Sequence, residues 1–120
     1  TQFIDNPKTA KKQFEILAKQ EENYFNTNLE FALNSLGYEL LYADKNVKKA
    51  IEILKFATKK YPKNANLFDS LGETFFVNQT YNKAISNYEK SLKLNPKNEN
   101  AKEMIRKINA LLSMKKQQRN

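Results

Sequence analysis

The chain has 120 residues, 40% of them hydrophobic, and a net charge of +8, which suits one domain with its own core and is too short for two ordinary ones. It holds no histidine and no cysteine, so a Ser-His-Asp triad, a Cys-His dyad, a disulfide, the usual zinc ligand sets and haem ligation are all excluded within these residues. With two glycines and three prolines, where average usage would give roughly fourteen together, there are few tight turns to make, and helices are expected rather than a sandwich or barrel.

The positive charge invites a nucleic-acid reading, but only Arg106 and Arg119 among the 21 basic residues are arginine, the favoured fork for bases and phosphates. A lysine excess beside 16 asparagines reads as codon bias from an AT-rich genome, and nucleic-acid binding is set below a protein-binding function. No run of about 18 apolar residues could span a membrane, and no basic-then-apolar leader is visible. The start at Thr1 is expected of a processed or excised piece of a longer protein. Compartment stays open, cytoplasm and cell envelope being equally compatible.

Taken in order, Asn6-Pro7 opens a first helix over residues 7–25, with a stripe of Ala10, Phe14, Leu17, Ala18 and Tyr24. Thr27-Asn28-Leu29-Glu30 has capping-box spacing and predicts a new helix start. Leu33, Leu36, Leu40 and Ala43 then recur at helical spacing, followed by a second stripe of Ala50, Ile53, Leu54 and Ala57. Phe68, Leu71 and Phe75 begin another pair of helices, completed by Ala84, Ile85, Tyr88 and Leu92. Asn46, Asn64, Thr80 and Asn98 stand where N-caps are expected. Pro62 and Pro96 end the second helix of each pair, since proline disfavours helical geometry in the residue before it. A last helix runs over 99–115 on Ala101, Met104, Ile105, Ile108, Leu111 and Leu112, and the tail 116–120 is expected to fray.

These elements repeat. Leu36-Gly37 and Leu71-Gly72 are 35 residues apart, Ala50-Ile51 and Ala84-Ile85 are 34 apart, and so are Pro62 and Pro96. One extra residue near Asp44-Lys45-Asn46 is the expected cause of 35 against 34. The pattern resembles the tetratricopeptide repeat, W-x2-L-G-x2-Y, then A-x3-F, then P. The second copy matches as Phe68, Leu71, Gly72, Phe75, Ala84, Tyr88 and Pro96, the first as Leu33, Leu36, Gly37, Leu40, Ala50, Leu54 and Pro62. Ala57 and Ser91 fall where the family has small residues, and its tryptophan is absent from both copies.

The resemblance implies an all-α, right-handed stack of helical hairpins, an α-solenoid of about six helices in one domain over 1–120. Its parts are an N-terminal packing helix at 7–25, repeats at 30–64 and 65–98, and a capping helix at 99–115. It also implies a protein-binding function on a concave face of first helices, for a peptide or a preceding domain of the same chain, with no cofactor. The phrases at 34–41, 61–73 and 95–104 further resemble the short repeat domain that ends some bacterial serine hydrolases and esterases. That implies an alternative, a structural extension that orients a hydrolase domain.

Six first-helix residues not needed for the core are the candidate groove: Asn34, Tyr38, Tyr42, Asn66, Asp69 and Glu73. Phe31, Leu41, Phe76 and Val77 share this face. Asp69 and Glu73, four apart, form a carboxylate pair that would favour a Lys- or Arg-bearing partner, and are read as a groove edge rather than an acid/base or cation site. Ser35 and Ser70 lack the Gly-x-Ser-x-Gly frame of a nucleophile elbow and have no histidine to activate them, so the chain is read as no enzyme. Relatives that grip a C-terminal carboxylate use lysine on this face. Asn34, Tyr38, Asp69, Ser70 and Glu73 stand there instead; Asn34 replaces the lysine and the two acids would repel a carboxylate, which argues against such a ligand. The lysines of residues 45–63 are read as a solvated convex surface.

Overall fold

The computed structural model describes residues 7–118, and within its first helix the side chains of residues 12, 15–22 and 28 onward. All regular structure among the described residues is helical, with no strand: α1 Pro7–Tyr38, a π turn Glu39–Ala43, α2 Val47–Lys60, α3 Ala65–Val77, α4 Tyr81–Leu94 and α5 Glu99–Gln118. The chain divides inside α1 into two compact units, one up to Phe31 and one from Ala32 onward.

The first unit is the helix from Pro7. Of its predicted stripe, Leu17 and Ala18 are solvent-exposed, while Ala10, Phe14 and Tyr24 lie outside the described side chains. The helix does not stop at 25 and restart at Thr27. It passes through the predicted capping box without a break. Neither glycine nor proline occurs between Pro7 and Gly37. Once a helix is nucleated, each further residue adds a hydrogen bond, and a cap worth about 1 kcal/mol has nothing to end there.

In the second unit the predicted signals set the turns. Asn46 Oδ1 accepts from the Lys49 amide (3.2 Å), Asn64 Oδ1 from Leu67 (3.1 Å) and Asn98 Oδ1 from Ala101 (3.1 Å). Thr80 stands at the N-cap of α4 but makes no such bond; its hydroxyl accepts from Asn78 Nδ2. Pro62 and Pro96 each occupy the second position of a turn closed by Asn64 N–H to Tyr61 C=O (3.2 Å) and by Asn98 N–H to Asn95 C=O (3.1 Å).

Helix α3 ends with Gln79 in the left-handed region at φ 62°. The Thr80 amide reaches back to the Phe75 carbonyl and Gln79 to Phe76, the paired bonds of a Schellman close. Lys45, φ 53°, stands at the matching place before α2. There, however, the Asn46 amide reaches the Leu40 carbonyl, six residues back where Thr80 reaches five. Lys45 and Gln79 are 34 apart, as are Asn46 and Thr80, so the register is already restored at Lys45. The extra residue of the first repeat therefore lies in the π turn and not in the Asp44–Asn46 loop. A π turn is the usual way for a helix to absorb one inserted residue.

Each helix of this unit packs chiefly on the next in sequence: the π turn on α2, α2 on α3, α3 on α4 and α4 on α5. The closest approaches are at the two glycines. A Cβ on Gly37 would sit 2.8 Å from Cγ and Cδ2 of Leu54, and one on Gly72 would sit 3.0 Å from Cγ of Tyr88. Leu54 and Tyr88 are 34 apart and almost fully buried, so the same seat is built twice. Around it lie Leu33, Leu41, Ala50, Ala57, Leu67, Leu71, Phe75, Ala84, Ala101 and Ile108, all buried. The counterpart positions Leu36 and Leu71 differ, at 39% and 3% exposed. Helix α3 is covered by α2, and within this unit no helix precedes the segment that carries Leu36.

In an open helix interior Gly→Ala stabilises by up to about 1 kcal/mol. At Gly37 the added methyl meets a buried Leu54 that cannot retreat. Gly37→Ala and Gly72→Leu should each cost about 1–3 kcal/mol, read as a lower urea midpoint, while Lys59→Ala on the exposed side of α2 should change it little. Gln79→Gly should shift the midpoint upward, by roughly 0.5–1 kcal/mol, because glycine relieves the left-handed backbone.

Candidate functional site

The six predicted groove residues divide into two polar clusters, joined along α3. In the first, the end of α1 and the π turn face α3. Tyr38 and Tyr42, one turn apart, stack with ring centroids 6.2 Å apart and planes 7° from parallel. Both hydroxyls donate to Glu73, Tyr38 to Oε1 at 3.2 Å and Tyr42 to Oε2. Ser70, a turn earlier on α3, is the hub. Its Oγ lies 2.5 Å from Asn34 Oδ1, 2.9 Å from the Asn66 carbonyl oxygen and 3.1 Å from the Tyr38 hydroxyl. A hydroxyl has one proton and serves one of these acceptors at a time. A half-turn of the Asn34 amide presents its NH2 to Ser70 and frees the serine proton for the chain Ser70 to Tyr38 to Glu73.

The second cluster surrounds Asp69. Asn98 Nδ2 donates to Asp69 Oδ2 at 2.8 Å, and Asn100 Nδ2 lies 3.2 Å from both carboxylate oxygens. Asn98 also reaches Ser91 Oγ at 2.9 Å, and Ser91 donates to the Ala65 carbonyl at 2.8 Å, which ties the start of α5 to α4 and α3. Asp69 thus turns toward α5 while Glu73 turns toward α1. Asn66 joins through its carbonyl alone, with its side chain exposed. Leu41, expected to share this face, is instead buried at 4% exposure. Phe31 is 74% exposed and Val77 44%, and Phe76 packs against Tyr81 at 5.9 Å.

Sequence reading put Ser70 on this inner face without counting it among the groove residues, and placed neither Asn98 nor Asn100 there. The period contains the signal for the last two: Asn64 and Asn66 advanced by 34 give Asn98 and Asn100, so the start of α5 repeats the start of α3. Ser70 was legible as the residue one turn after Asn66 and three before Glu73.

Neither carboxylate is paired with a cation. The ion pairs Lys102–Glu99 and Arg106–Glu103 lie elsewhere, both exposed and within α5. No group of three or more metal-ligating carboxylates occurs among the described residues, and none of their helices is long and apolar enough to cross a membrane. The electrostatic result is visible in the tyrosines. Burial raises the Tyr38 and Tyr42 pKa values above the ordinary 10.0, and the Glu73 charge adds to both. Tyr88 is also raised, by burial first and then by Asp69 and Glu73. Its hydroxyl is fully buried and has no hydrogen-bond partner. Its ring packs on Gly72, where an added Cβ would meet Cγ, Cδ1 and Cδ2 at 3.0–3.1 Å.

No protein-family model matches this chain, and no curated protein sequence matches it.

Below pH 10 the folded and unfolded chains both keep these tyrosine protons. Above it the unfolded chain loses them first, so stability should fall as pH rises past 10. Tyr88→Phe removes a buried, unpartnered hydroxyl. It should be as stable as the wild type or about 1 kcal/mol more so at neutral pH, and its urea midpoint should fall less between pH 8 and pH 11.

Proposed function

We propose that residues 30–115 form a tetratricopeptide-type module whose first-helix face binds an extended, basic polypeptide segment. The observation that carries the fold part is the seat built twice, Gly37 under Leu54 and Gly72 under Tyr88, at the places where that family brings its paired helices together. The face itself supports the ligand class. Glu73 and Asp69 receive only neutral donors, so two negative charges remain unbalanced beside amides and stacked tyrosine rings. Lys or Arg side chains would meet the carboxylates, and amides suit an extended backbone. Two repeats give a short groove, so a free peptide binds weakly and a tethered segment gains from effective concentration.

A second reading is favoured by one observation. Asn34, Ser70, Tyr38, Glu73 and Tyr42 already satisfy one another, as a clasp between first helices would. On that reading the chain is a structural extension that orients a neighbouring domain, such as a serine hydrolase.

The test is a peptide array varied in charge, probed with the labelled chain. Retained peptides should be rich in Lys and Arg. Tyr38→Ala, Asn34→Ala and Glu73→Lys should each weaken retention about tenfold or more with small loss of melting temperature, and Lys48→Glu and Lys59→Glu should leave it unchanged. Retention of no peptide, with the same three variants strongly lowering the melting temperature, selects the structural reading.

A further inference from the structure

The opposite side of α3 carries a different surface. Phe68, Leu71 and Phe75 recur at i, i+3 and i+7 and floor a cleft of about 300 Å³ between α2 and α4. Three lysines stand over that floor. Lys55 of α2 and Lys83 of α4 converge on the Phe75 ring, 6.0 and 5.8 Å from its centroid, and Lys90 lies 5.8 Å from that of Phe68. No carboxylate lines the cleft, and none of these lysines is ion-paired. The other polar groups are largely engaged: the Asn87 amide donates to the Lys83 carbonyl and the Thr58 hydroxyl to Lys55.

Three like charges over an apolar floor are a poor arrangement for an isolated surface. Two ammoniums drawn to one ring repel each other, and ring attraction recovers only about 0.5–1 kcal/mol each at exposed sites. An anion with an apolar body answers both needs. Lys83 and Lys90 are seven residues apart on α4, about 10 Å along the helix, and the floor has the same length. An extended chain covers about 10 Å in three residues. We propose that this cleft binds a second polypeptide segment of opposite character to the first, an extended acidic stretch with carboxylates three residues apart and an aromatic residue between them. The aromatic side chain lies on Phe68, Leu71 and Phe75, and the carboxylates take the lysines at either end. A compact anion would reach one end only. The site shares no side chain with the first-helix face, so either can fail without the other.

The experiment is fluorescence anisotropy of the labelled, blocked hexapeptide Glu-Glu-Phe-Ala-Glu-Glu against the full chain at low salt. Saturable binding is expected, weakened about fivefold when Ala replaces the Phe and steeply by added salt. The double variant Lys55→Glu, Lys83→Glu should weaken it about tenfold or more. The charge-matched double variant Lys49→Glu, Lys97→Glu, outside the cleft, should change it less than about twofold. Tyr38→Ala, on the opposite face, should be silent. Equal loss in the two double variants, or indifference to the Phe, overturns the proposal in favour of diffuse charge. Binding to phosphatidylserine vesicles or duplex DNA that is lost in the cleft variant, with no peptide binding, overturns it in favour of a lipid or nucleic-acid surface.

Discussion

The second unit depends on how closely two helices can approach at a glycine. Gly37 and Gly72 leave a gap one methyl wide, and Leu54 and Tyr88 fill it from the partner helix. Ala50 and Ala84, both with no exposed surface, keep the facing helix equally thin. With the axes drawn together there, Leu33, Leu67, Leu71 and Phe75 are buried with no tryptophan in the chain and a modest apolar fraction. The polar clusters follow from the same approach. Ser70 and Glu73 flank Leu71-Gly72 in sequence, and Tyr38 follows Gly37, so the helices that meet at the seats also bring these side chains into hydrogen-bonding range.

The repeat is what made the fold legible from sequence. Turns that begin with Tyr61-Pro62 and Asn95-Pro96, and caps at Asn46, Asn64 and Asn98, are local chemistry copied at a fixed interval, and the structure places each where the spacing put it; that Leu54 and Tyr88 fill the space over the two glycines was not read. Two features were not legible. The π turn costs one residue of register and leaves no composition mark, since Glu39–Ala43 reads as ordinary helix. Spacing alone could not say which side of Lys45 the extra residue fell. The continuity of α1 through Thr27 went unread for the opposite reason: a capping signature is visible in sequence even where nothing interrupts the helix. Leu36 shows a third limit. Its repeat position predicts burial, but burial depends on the neighbour that follows or precedes, and the first repeat of the unit lacks what α2 gives to α3.

The candidate site was half legible for a related reason. Helical spacing assigns residues to a face but does not say which neighbouring helix a side chain on that face chooses. Asp69 and Glu73 sit one turn apart, yet one turns to the asparagines that open α5 and the other to the tyrosines that close α1. Donor supply makes the division. The tyrosines, four residues apart and stacked, share the face that meets Glu73. Asn98 is held by its own cap bond to Ala101 and can swing its amide only toward Asp69 and Ser91.

Helix α3 therefore separates two surfaces of opposite sign. On one side Asp69 and Glu73 lie among neutral donors; on the other Phe68 and Phe75 lie beneath three unpaired lysines. The separation is built from one short sequence, residues 66–75, in which polar and aromatic positions alternate around the helix. Tyr88 packs against Gly72 of this helix. It is the larger residue at the place Leu54 fills in the first repeat, and its ring crosses the gap that Gly72 leaves. A leucine there would complete the seat with no buried polar atom. The tyrosine instead carries a buried, unpartnered hydroxyl, whose proton is held by burial first and then by the charges of Asp69 and Glu73. The fold needs only the ring. The hydroxyl is a buried, unpartnered group that packing does not require.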